Sequence, residues 1–278
     1  MNITASQIEI IKSLGKYKYL TISQMDKLKI FKNKVSIYRA LAPLKAGKHP
    51  LVLAQGFGLI PGYGRLEQIL FLSKYAKDLL VDELQMNEKY LKIPTSKTLV
   101  STDYFHRIWT IEFHLQLSLY LSQNKGYVKF FDYYFDKEKN ASRSKFNKAK
   151  NRIDINENSK FIIPDGVTKF HTNGKDYLYL FEQHNGQSVT KIMTQIYNHC
   201  LVIKEAGAKE KYDFERNSRV VIVFEYEKVM YSVMQRCKED ISLIKYSDFF
   251  LLKSNRMLEF DFFQNFYNLY ANKINFCE

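Results

Sequence analysis

The chain has 278 residues, with 42 lysines and arginines against 29 acidic residues and a formal net charge of +13. That balance favours a polyanionic partner such as nucleic acid, whose phosphates release counterions when neutralised. No apolar run is long enough for a membrane span and no leader pattern opens the chain, so a cytoplasmic protein with no membrane partner is expected.

Hydrophobic residues make up 46% of the chain, enough for a sizeable core in one large domain or two smaller ones. Cys200, Cys237 and Cys277 are scattered, odd in number and without metal-ligand spacing, so they read as reduced thiols.

The first expected helix runs from Ala5 to Leu14 on Ile8, Ile11 and Leu14, with Gly15 as its breaker. Thr21-Ile22-Ser23-Gln24 fits a capping box and opens a short helix to about Lys29. Asn33 caps a third helix through Ile37, Ala40, Leu41 and Leu44 to Gly47, with Pro43 expected to kink or shorten its last turn. Leu51–Ala54 and Gln68–Leu72 read as a hairpin around Gly56, Gly58, Gly62 and Gly64, and Lys74–Leu84 as a closing helix. This order resembles a winged helix-turn-helix. The third helix would enter the DNA major groove, with Lys34, Ser36 and Arg39 opposite its apolar face reaching phosphates or base edges. The alternative is a solvated charged face on a protein-binding domain. Residues 89–100, around Pro94, have little helical pattern, giving an expected domain over 1–88, a linker over 89–100 and a second domain over 101–278.

Ser101–Leu121 reads as a helix striped by Phe105, Ile108, Trp109, Leu115 and Leu119, with Glu112 in mid-stripe. A core-facing carboxylate there must be paired, hydrogen-bonded or metal-linked; the alternative is a Glu that reaches solvent or a lysine. Tyr127–Phe135 reads as a strand. Residues 136–158 are a basic stretch with Lys145 and Lys148 among seven cations, either a loop that clamps nucleic acid or a merely solvated one. Two acidic strands follow, Phe161–Gly166 and Leu178–His184, joined through a turn at Asn173-Gly174. Then come a helix over Ser188–Ala206, a strand over Val220–Phe224, a helix over Lys228–Lys238, a strand over Phe249–Leu252 and a helix over Phe260–Ile274. The order suits an α/β sandwich with a central mixed sheet. No phosphate loop of Walker or Rossmann type is present.

Alternation along a strand puts Glu182 and His184 on one face, and antiparallel pairing in the right register would bring Asp165 beside them. Such a pocket could hold Mg²⁺, which activates water and neutralises phosphate charge. Pro164-Asp165 and Glu182-Gln183-His184 on such strands resemble the PD-(D/E)xK nucleases, a restriction-endonuclease-like fold. Glu112 would match the acidic residue many of them carry on the first helix, and His184 departs from their usual lysine. More of the chain is similar to the replication-relaxation family, which includes MOB-C type conjugative relaxases. That likeness rests on a winged helix leading into Ile-Pro-Asp-Gly, then Phe-Glu-Gln-His-Asn-Gly, with Lys191 and Tyr197 downstream.

The resemblance implies a plasmid mobilisation relaxase that nicks one strand at an origin of transfer with Mg²⁺ or Mn²⁺ and no covalent phosphotyrosine. In that reading Asp165 and Glu182 are metal ligands, Glu112 is a further or water-bridged ligand, and His184 is a ligand or general base. Lys191 would be a phosphate contact at best. Plasmid DNA would be the partner, with accessory mobilisation and coupling proteins. A non-catalytic replication or origin-binding protein and a double-strand restriction nuclease are the alternatives.

Overall fold

The chain packs into two units, Met1–Leu115 and Gln116–Glu278, and the computed structural model describes residues 3–83, 93, 103–138, 148–155 and 160–277.

In the first unit α1 (Ala5–Tyr17) starts at a capping box: Thr4 accepts from the Gln7 N–H and the Gln7 side chain accepts from the Thr4 N–H. The helix runs through Gly15 instead of stopping there. Buried Leu14 and Tyr17 flank the glycine, and the turn comes at Lys18, at φ 68°. A second capping box, Thr21 with Gln24, opens α2 (Ile22–Lys27). Asn33 caps α3 (Lys34–Lys45), which ends two residues after Pro43. Ile10, Ile11, Leu14, Ile37, Leu41 and Leu44 are buried, each worth roughly 1.5–3 kcal/mol of transfer free energy.

Strand β1 (Val52–Gln55) pairs antiparallel with β4 (Ile69–Leu72). Between them β2 (Leu59–Ile60) pairs with β3 (Gly64–Arg65). The expected closing helix is only α4 (Ala76–Asp78) and a π-helical turn to Glu83. The expected linker, 89–100, lies outside the described residues apart from Ile93. Helix α5 (Tyr104–Gln123) contributes its first half to this unit. Thr110 to Leu115 are all buried, whereas Phe105, Ile108 and Trp109 are half-buried, so the expected single stripe is replaced by burial around the helix.

The second unit is a mixed α/β fold on a central seven-stranded sheet. Its elements are β5 (Tyr127–Tyr133), β6 (Lys137–Glu138), β7 (Lys148–Ala149), β8 (Ile153–Ile155), β9 (Lys160–Ile162), β10 (Gly166–Thr172), β11 (Lys175–His184), α6 (Val189–Lys204), α7 (Gly207–Lys211), β12 (Arg219–Phe224), α8 (Glu227–Lys238), β13 (Phe250–Ser254), α9 (Asn255–Phe260), β14 (Phe266–Tyr267) and β15 (Lys273–Ile274). The sheet order is β15-β14-β13-β12-β11-β10-β5. Strands β11, β12 and β13 are mutually parallel and the remaining pairs antiparallel. Parallel neighbours need crossovers, and α6 and α8 supply them.

One face of the sheet carries Leu178, Leu180, Val220, Ile222, Phe224, Phe250 and Leu252. These pack with Ile192, Ile196 and Ile203 of α6 and Met230 and Val233 of α8 in one core. The opposite face carries Tyr179, whose ring lies 4.9 Å from that of Phe276.

Three expectations are corrected here. Phe161-Ile162 belongs not to the central sheet but to a two-stranded sheet, β8 with β9. Parts of the expected basic loop form paired strands, β6 with β7 and β8 itself, because Ile153 and Ile155 are buried in the core. Residues 260–274 are not a helix: after α9 the chain turns at Asn265 and Ala271, both at positive φ, and adds β14 and β15 to the sheet edge. Buried Lys253 holds that turn, donating to the carbonyls of Asp261 and Gln264. The three cysteines are free, and burial pushes each thiol up to about 12.

Candidate functional site

The turn from β10 to β11 sets the register. Asn173 and Gly174 are both left-handed, at φ 49° and 72°, which matches the twist of the strands they join. Gly166 therefore faces Phe181 and Val167 faces Leu180, so Asp165, just before β10, comes opposite Glu182. A slip of one residue would turn one of the two carboxylates to the other face.

Both carboxylates are buried and both are held. Asp165 Oδ2 accepts from the Gln183 backbone N–H at 2.7 Å. Glu182 Oε1 lies 2.7 Å from His199 Nε2, and His199 is itself buried on α6. Burial lowers the His199 pKa from 6.5 to about 4, against a smaller upward pull from Asp165. The imidazole is thus neutral at pH 7. Because its partner is a carboxylate, Nε2 is assigned the proton.

The turn carrying Asp165 is fixed from both sides. Tyr134 N–H donates to the Asp165 carbonyl at 3.0 Å, and buried Asn151 donates through Nδ2 to the Pro164 carbonyl. At Gly166 an added Cβ would stand 2.6 Å from the Phe131 ring, so only glycine fits against that ring.

His184 ends β11 on the same face as Glu182, half-buried, with its ring 5.7 Å from that of Phe224. Glu112 is a residue of the first unit. There its buried carboxylate accepts from Lys27 Nζ at 2.7 Å and Gln24 Nε2 at 3.5 Å, the lysine pairing that the sequence left open as an alternative. Among the described residues, no group of three or more His, Cys, Asp or Glu side chains is placed to hold a metal ion.

In the first unit Lys34 and Arg39 are exposed on α3, along with Val35 and Tyr38. Lys34 Nζ donates to Ser23 Oγ at 3.0 Å. The Ser36 hydroxyl and N–H both donate to Asn33 Oδ1, so this side chain is engaged at the helix start. Lys145 lies outside the described residues. In the second unit Lys148 pairs with Asp154 at 3.1 Å. Lys191 is exposed in the first turn of α6. Tyr197 donates to Asp240 at 2.6 Å, a bond that helps push its phenol up to about 12. No helix among the described residues is long and apolar enough to cross a membrane.

Two residues at this site were not foreseen. His199 had a signal: it stands seven positions after Ile192 and three after Ile196, on the apolar stripe of α6. Asn151 had none, being one polar residue in a basic run.

Comparison with protein-family models, curated proteins and solved structures finds no match.

Proposed function

We propose that the chain is a metal-dependent DNA endonuclease of the relaxase kind. In this reading the first unit is a winged helix that finds a duplex site, and the second is a restriction-endonuclease-like domain that nicks one strand. The observation that carries the proposal is the placement of Asp165 opposite Glu182, both buried at the end of a central sheet. Each carboxylate keeps a hydrogen-bond partner, and two carboxylates converging from neighbouring strands also offer oxygen ligands of the kind a divalent cation takes.

The donor set suits Mg²⁺ or Mn²⁺ better than a metal that needs a closed protein cage. Mg²⁺ is commonly bound by one or two carboxylates, waters and substrate phosphates, so two side chains suffice without a third protein ligand. When bound, such an ion would supply charge neutralisation at the scissile phosphate and acidify a coordinated water. The chain's own contribution is orientation: the Gln183 N–H aims Asp165, neutral His199 aims Glu182, and His184 extends the same face. Exposed Lys34 and Arg39 would meet phosphates, with Lys148 and Lys191 as further contacts.

The net charge of +13 and the exposed Lys34 and Arg39 of α3 equally suit a second reading, an origin-binding protein without catalysis. The deciding experiment is incubation with supercoiled plasmid carrying the cognate mobilisation region, with and without Mg²⁺ or Mn²⁺. Metal-dependent conversion to open circle is expected, and Asp165→Ala or Glu182→Ala should each slow it about a thousand-fold, a barrier rise of several kcal/mol. Linear product would instead mark a double-strand nuclease. Binding without any cleavage would support the second reading. Lys34→Ala and Arg39→Ala should weaken duplex binding, each flattening the salt dependence by about one unit of slope if it contacts a phosphate.

A further inference from the structure

The hairpin of β8 and β9 has one face in the core and the other in solvent. Ile153, Ile155 and Ile162 are buried, whereas Phe161, opposite Asp154, stays 45% exposed and Ile163 40% exposed. Phe161 and Ile163, two residues apart, give this face a small apolar patch that leads into Pro164. Four cations lie nearby in the chain, Lys148 on β7, Lys150 and Arg152 just before β8 and Lys160 on β9; Lys148 and Arg152 pair with Asp154 and Lys150 with Asp132. Arg152 stands over the Phe161 ring at 3.8 Å and bonds to Asp154 at 2.6 Å. The platform runs directly into Pro164-Asp165. Phe161 is four residues from Asp165, so it lies within roughly 14 Å of that carboxylate's backbone. That upper limit corresponds to at most about four stacked nucleotides of one strand.

We infer that Phe161, with Arg152 and Ile163, forms a stacking platform for an unpaired DNA base beside the cleavage position. This rests on the nuclease reading of the second unit. A π face flanked by cations is the combination that holds single-stranded DNA without reading its sequence. Paired bases offer no free face, so the platform distinguishes a melted strand from a duplex.

The test is equilibrium binding of the full chain, in EDTA, to a labelled single-stranded oligodeoxynucleotide and to the same sequence as a duplex. Phe161→Ala should bind the single strand about tenfold more weakly, with its salt slope and duplex affinity unchanged. Phe161→Trp should bind at least as well as wild type. Because the ring is exposed, the melting temperature of both variants should match wild type and exclude misfolding. The inference is overturned if Phe161→Ala binds the single strand like wild type, if it loses duplex affinity equally, or if Phe161→Trp is as weak as Phe161→Ala. Binding is read without metal, so a chain that never nicks leaves this result standing, and Asp165→Ala tests the nuclease reading separately.

Discussion

Replacing His199 tests whether α6 holds Glu182 in place. At pH 7 the neutral imidazole gives Glu182 a buried hydrogen bond of 2.7 Å. Hydrogen bonds to charged groups contribute about 1.5–3 kcal/mol, and removing a buried ring adds a cavity term. His199→Ala should therefore destabilise the fold by about 3 kcal/mol or more, whereas His199→Gln, which keeps an N–H donor, should cost less. The pH dependence separates the two causes. The folded pKa of His199 is lowered to about 4 from an ordinary 6.5, so between those values the unfolded chain binds the extra proton and the folded chain does not. Stability contributed by the neutral ring is complete above about pH 6.5 and is lost as pH falls towards 4. The shift corresponds to about 3 kcal/mol over that window. Wild type should lose that much more than His199→Gln between pH 7 and pH 4, measured by urea unfolding followed by circular dichroism. Buried His114, also lowered by desolvation, is common to both proteins and cancels. Equal pH slopes in the two proteins would refute the burial argument, and a His199→Ala loss below about 1 kcal/mol would refute the support given to Glu182.

Gly166→Ala should destabilise the second unit by about 1–3 kcal/mol, because the new methyl collides with Phe131, and the paired change with Phe131→Leu should recover part of the loss in the same urea titration. Lys27→Met removes the cation from a buried Glu112 and should cost about 1–3 kcal/mol in thermal or urea unfolding, with Glu112→Gln in the same background restoring some of it. In the plasmid assay of the proposed nuclease, His184→Ala should abolish most nicking; a wild-type rate would leave His184 a structural residue.

Local signals carried a good deal of this protein. Thr4, Thr21, Asn33 and Ser188 each begin a helix, because a side-chain oxygen can satisfy an N–H that no carbonyl of the helix reaches. The stripe of α6 and the Asn173-Gly174 turn follow from the same kind of short-range chemistry, periodicity in one and left-handed backbone in the other. The sequence also placed Asp165 and Glu182 on strands joined by that turn, which is why a shared face could be anticipated. Where the partner was distant, the sequence was silent or misleading. Glu112 is recognisable as a core-facing carboxylate from its helix stripe, but its partner Lys27 is 85 positions away and no periodicity points to it. The aromatic run after Phe260 is equally compatible with a helix and with strands. Pairing along the edge of β13 decided for strands, because it gives backbone groups there a partner within the chain. His199 was visible as a stripe position but not as the partner of Glu182. That pairing exists only because the crossover from β11 to β12 lays α6 over the end of the strand, and no short-range rule specifies which turn of a helix lands on which strand residue.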